Sequence, residues 1–146
     1  MLPTTTARVP ENTAESVNDR LHRRAEARVN RVAAGGTRAI AERLRELDAE
    51  WDTERTLEAN ASTLVVAGAA LALLVDRRFA LIPLVVGGFL LQHALQGWCP
   101  PLPIFRRLGV RTQAEIERER HALKAARGDF ERTAGDPSRA IRAAGG

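Results

Sequence analysis

The chain has 146 residues and a mass of 16.0 kDa, room for one domain, with 27% charged residues, a mean hydropathy of −0.22 and a net charge of +4. Its one cysteine, Cys99, excludes an intramolecular disulfide and a Cys-rich zinc site. Aromatic residues are 4% and Tyr is absent, which argues against the base-stacking platforms of single-strand nucleic-acid binders.

The average conceals a division. Residues 59–105 hold three charges, Asp76, Arg77 and Arg78, while the other 99 residues hold 37. Residues 1–58 set 10 arginines against 11 acids, and residues 99–146 set 10 bases against 6 acids. That spread is too even for a nucleic-acid footprint, so no nucleic-acid partner is expected.

Residues 1–10 carry one arginine and no apolar run, and read as a disordered leader rather than a secretory signal. Residues 11–34 read as an amphipathic helix. Ala14, Val17, Leu21, Ala25, Val29 and Val32 share one face, opposite Arg20, Arg23, Arg24 and Arg31. Gly35-Gly36 breaks it. A second helix is expected over 37–58, with Ile40, Leu44, Leu47 and Trp51 as an apolar seam. Glu42, Glu46, Glu50, Glu54 and Glu58 form an acidic ridge along it. Its sign complements the arginine face of the first helix, so residues 1–58 are expected to fold into an antiparallel pair.

Residues 59–75 are 17 uncharged positions, roughly 25 Å of helix. After Asp76-Arg77-Arg78, residues 79–98 are 20 more, roughly 30 Å. The first span has seven Leu or Val, the second ten Leu, Ile, Val or Phe. The first is marginal alone, so the pair is read as a two-helix transmembrane hairpin over 59–98. Gly68 and Ala72 make a small-xxx-small pair, and Gly88, Gln92 and Gln96 share a face of the second span, with His93 beside them. These five are the expected helix-packing residues, within the hairpin or in a homo-oligomer. His93, with no second ligand near it in sequence, gives no metal or cofactor site.

Cys99-Pro100-Pro101-Leu102-Pro103 ends the second span. Trp98, Cys99, Arg106 and Arg107 are expected at the headgroup interface, where either guanidinium could activate the thiol. Thr112 and Glu115 form a capping box opening a short helix that Gly128 closes, completing a segment over 99–130. Residues 131–146 read as a disordered tail.

The stretch Glu58-Ala59-Asn60, the two Ala/Gly/Leu spans joined by Asp76-Arg77-Arg78, Gly97-Trp98-Cys99-Pro100 and Arg106-Arg107-Leu108-Gly109 together resemble the YgaP-like inner-membrane domain family. The resemblance covers about residues 55–128, and Gly-Trp-Cys-Pro is its most specific element. It implies a bacterial inner-membrane hairpin with cytoplasmic ends. Some family members carry a fused rhodanese. This chain has neither that domain nor a second cysteine, so sulfur-transfer activity does not carry over.

The expected architecture is all-α, a transmembrane hairpin flanked by amphipathic cytoplasmic helices. The expected role is non-enzymatic: a multi-pass membrane anchor, scaffold or oligomerisation module without a cofactor, in contact with lipid and with a second copy or another membrane protein. Two alternatives are an accessory thiol or sulfur-relay partner using Cys99, and a soluble helical interaction module. Seven arginines (Arg43, Arg45, Arg55, Arg106, Arg107, Arg111 and Arg118) flank the outer ends against two in the turn, which places both termini in the cytoplasm.

Overall fold

The computed structural model describes residues 4, 6–131 and 136–145. It is all-helical among those residues: α1 (Arg8–Glu11), α2 (Glu15–Ala34), α3 (Gly36–Ala49), α4 (Thr53–Leu74), a 3-10 turn (Arg77–Ala80), α5 (Leu81–Gln96), α6 (Leu102–Leu108), α7 (Gln113–Arg127) and α8 (Pro137–Gly145). Two compact units result. One holds residues 1–18 and 51–112, the other residues 19–50 and 113–146.

In the first unit, α4 and α5 pack as a helical hairpin. Asp76 accepts a hydrogen bond from the Arg78 amide at 2.7 Å and so opens the 3-10 turn between them. Gly68 is the point of closest approach. A Cβ there would lie 2.8 Å from Ile82 Cβ and Pro83 Cδ, so only glycine lets the backbones meet. Outside that seam the hairpin is bare. Of the exposed large apolar side chains, twelve lie between Leu64 and Leu95, with Leu73 86% and Leu74 84% exposed. Two stretches, Gly36–Leu74 and Arg77–Gln96, contain a window long and apolar enough to cross a membrane. A break at residues 50–52 divides the first stretch, and its apolar part belongs to α4.

In the second unit, Ile40, Leu44 and Leu47 of α3 meet Ile116 and Leu123 of α7, with Val29 and Val32 of α2 against them. Glu119, its side chain 0% exposed, lies between Arg43 Nε at 2.8 Å and Arg28 Nη1 at 3.2 Å. Buried Lys124 donates to the carbonyls of Ala143 (3.1 Å) and Ala144 (2.9 Å), capping α8.

Several expectations change. The helix expected over 37–58 is two helices. It stops at Ala49, Glu50 turns extended, and Asp52 caps α4 by accepting from the Arg55 amide at 2.8 Å. Trp51 therefore leaves the seam, is 49% exposed, and stacks its ring 4.4 Å under the Arg55 guanidinium. The seam is covered chiefly by α7 rather than by the first helix alone. The first three glutamates of the acidic ridge are paired from α3 itself: Arg38 takes Glu42, and Arg43 takes Glu46 and Glu50. The ends are more ordered than expected. Arg8–Glu11 is helical and Val9 is buried with Leu57, Cys99 and Leu102. In the tail, Pro137–Gly145 is helical behind Asp136, which accepts from the Arg139 amide. The rest of those expectations, at residues 1–3, 5, 132–135 and 146, lies outside the described residues.

Candidate functional site

The site lies at the open end of the hairpin, where α4 begins and α5 stops. Helix α5 ends on Gly97, whose φ of +76° is the left-handed conformation glycine tolerates at a helix C-terminus. A side chain there would also run into the Arg8 backbone. This explains the glycine of Gly-Trp-Cys-Pro: it turns the chain sharply under α1 and brings Cys99 back beneath α5. Pro101 and Pro103 then start α6, and Leu102 is fully buried.

The last carbonyls of α5 have no intrahelical donors, and α1 supplies some. Arg8 Nη1 donates to Ala94 O at 2.8 Å, and Asn12 Nδ2 to Gln96 O at 2.9 Å. Arg8 Nη2 also meets Glu54 Oε1 at 2.9 Å. The other oxygen of Glu54 lies 3.0 Å from His93 Nε2. The hydrogen bond from His93, with the charge of Arg8 behind it, holds the Glu54 carboxyl below the usual carboxylate range against the opposing effect of burial.

An ionised carboxylate can only accept, so Nε2 carries the hydrogen in this pair. The other ring nitrogen, Nδ1, is buried and makes no hydrogen bond. His93 is 3% exposed, and the Cys99 thiol is its remaining polar neighbour. The thiol interacts with the ring without reaching good hydrogen-bond geometry. Cys99, His93, Glu54 and Arg8 thus stand in a line of thiol, imidazole, carboxylate and guanidinium. Among the described residues, no three His, Cys, Asp or Glu side chains converge as a bound metal would require.

Cys99, itself 4% exposed, also lies on the wall of a cavity of about 250 Å³ between α4 and α5. Leu57, Leu64, Val86, Phe89 and Leu90 are among its other walls, with Asn60 the one polar side chain besides the thiol, so its lining is largely apolar.

The residues expected to form sites separate. Gly68 is buried at the helix contact, with Ala72 half-buried one turn on. Gly88 does not face α4: a Cβ there would meet nothing within 4 Å, because the rotation of α5 about its axis presents Ile82 and Pro83 instead. Gln92 is half-buried and Gln96 exposed, the latter bonded through its backbone carbonyl. Trp98 is half-buried and Arg107 exposed. Arg106 is not at an interface. It is fully buried, and donates to Thr13 Oγ1 (3.2 Å), Val110 O (3.0 Å) and Asn18 Oδ1 (3.0 Å). It therefore ties α6 to the segment around α1, and the group beside the thiol is His93.

Sequence reasoning missed Arg8 and Glu54. Glu54 was hidden inside the acidic ridge, although Asp52, as a helix cap, marked it as the first turn of a new helix. No protein-family model, no curated protein and no solved structure matches this chain.

Proposed function

We propose that this chain is a multi-pass inner-membrane protein whose α4–α5 hairpin anchors the helical unit built from α2, α3, α7 and α8, serving as a scaffold or oligomerisation module. The observation that carries this reading is the apolar surface of the hairpin, exposed on nearly every side except the Gly68 seam. Soluble chains seldom leave so large an apolar patch uncovered. Lipid is its natural solvent, and the open face around Gly87 and Gly88 would admit a second copy or another membrane helix. The YgaP-like resemblance and the arginine count agree on cytoplasmic termini.

Fractionation followed by alkaline extraction tests this. The chain is expected to stay with the inner membrane, and a reporter phosphatase is expected to be active when fused at residue 77 and silent at the C-terminus. A chain that purifies as a monodisperse species without detergent would instead be the soluble interaction module.

A second reading has its own observation. The buried His93 ring, fixed by Glu54 on one nitrogen and unpartnered on the other beside Cys99, favours a working thiol. Rapid alkylation of Cys99 by iodoacetamide, slowed in His93→Gln, is the expected sign.

A further inference from the structure

Three features of the hairpin's open end lack a structural purpose when taken together. A buried imidazole nitrogen without a partner is costly, of order 1–3 kcal/mol for an ordinary unsatisfied group, and such atoms are uncommon. It is held in place by a dedicated carboxylate, itself held by Arg8. The thiol next to it forms part of a largely apolar cavity between two helices. Apolar linings of this kind favour apolar ligands. A nucleophile, a base and an orienting carboxylate are the parts of a covalent acyl-transfer site.

We propose that Cys99 accepts a long-chain acyl group from an acyl thioester, with His93 as its base, Glu54 as the positioning residue and the α4–α5 cavity as the seat of the acyl chain. This rests on the working-thiol reading and adds the substrate class. The apolar lining selects the chain by burial, and its position between the two most apolar helices gives an acyl tail a route in from lipid. In the step, Cys99 Sγ passes its proton to His93 Nδ1 and bonds to the thioester carbonyl carbon. The bond from that carbon to the donor sulfur breaks, and the departing thiolate takes the proton from Nδ1. One thioester replaces another, with no redox change.

The test uses the full chain in detergent micelles with decanoyl, octanoyl and acetyl thioesters, read by intact mass and by release with neutral hydroxylamine. One acyl group per chain is expected, absent in Cys99→Ala. The rate should rise about fourfold for each methylene that enters the cavity. His93→Gln should slow it about a hundredfold. Glu54→Gln, which keeps the shape of the side chain, should slow it less while lowering the melting temperature only slightly, separating positioning from misfolding. Equal rates in wild type and His93→Gln, or no dependence on chain length, overturn the proposal. If Cys99 is alkylated quickly and in a His93-dependent way but takes no acyl group, the thiol reading stands and the acyl assignment falls. If Cys99 is inert to both reagents, both fall.

Discussion

On α3, the buried positions are Ile40, Leu44 and Leu47, and the charged residues between them face out except Arg43, which turns in to meet Glu119. On α4 and α5 the order is reversed: Leu73, Leu74, Leu81 and Leu84 are exposed, and the buried contact is Gly68. The first arrangement gains from removing apolar surface from water. The second gains nothing that way, because its apolar surface stays outside, and relies on close backbone approach. The same contrast runs through the charges. In the α3–α7 unit, Glu119 is buried because two guanidiniums converge on it. At the hairpin's end, Glu54 is buried less and is shared between a guanidinium and an imidazole. One unit uses polar groups to fix helix register, and the other gathers them at one end of an apolar pair.

The largest effect is expected at Glu119. Glu119→Ala deprives Arg28 and Arg43 of a shared, fully buried carboxylate. Removing one partner of a buried ion pair costs about 3–5 kcal/mol. Urea unfolding followed by circular dichroism should show the loss. A change below about 1 kcal/mol would mean that the charges are solvated and the α3–α7 contact is apolar only.

The hairpin's counterpart is Gly68→Leu. Its added carbons meet Ile82 and Pro83 at a distance real Cβ atoms do not tolerate. Overpacking of this kind costs about 1–3 kcal/mol. The expected outcome is a lower melting temperature in detergent, and loss of a disulfide engineered between α4 and α5. Gly88→Leu should leave both unchanged, because nothing faces that position within the chain. From the sequence, Gly88 is expected among the helix-packing residues alongside Gly68. Both glycines lie on faces read as packing faces, Gly68 with Ala72 and Gly88 with Gln92 and Gln96, but which face of α5 meets α4 is something no spacing rule reports.

The two apolar spans, the tight Asp76-Arg77-Arg78 turn, the break at Gly35-Gly36 and the stop at Gly128 follow from composition and local backbone chemistry, and the structure has them at those places. The break at Glu50 was masked because the four-residue glutamate spacing runs straight through it. The cap Asp52 was the competing local signal. Arg8 belongs to a helix of one turn, too short to carry periodicity, and its partners lie 46 and 86 residues away. Asp136-Pro137 is a recognisable helix start, overlooked because the tail's Ala, Gly and Arg content resembles an unstructured segment. Long-range pairs such as Glu54 with His93 require the hairpin to be closed before they exist.

A smaller effect comes from pH. The Glu54 carboxyl sits below its ordinary range in the folded chain, beside His93 and Arg8. A depressed carboxyl stabilises the fold at pH values above its unfolded pKa, near 4.3. That contribution shrinks as pH falls through this value and is gone below the folded pKa. Glu54 is about a third exposed, so solvent screening holds the effect to about 1 kcal/mol or less. The melting temperature of Glu54→Gln should therefore fall below wild type at pH 7 and converge with it toward pH 3. Parallel curves over that interval would mean that the carboxyl is not held by its neighbours.

The smallest effect tests the boundary between the two kinds of packing. Were Trp51 the fourth residue of the α3 seam, it would be shielded with Ile40, Leu44 and Leu47. Its place after the helix stop leaves it half-exposed, with Arg55 stacked on its ring. In a Trp98→Phe chain, where Trp51 is the sole tryptophan, acrylamide should quench its emission readily. Arg55→Ala should raise that quenching further, since it uncovers the ring face, while costing only about 0.5 kcal/mol, the low end for an exposed cation–π contact. Emission that resists acrylamide in the parent chain would place Trp51 back in the apolar seam. It would also extend α3 through Glu50 and remove the Asp52 cap that sets Glu54 in the first turn of α4, within reach of His93.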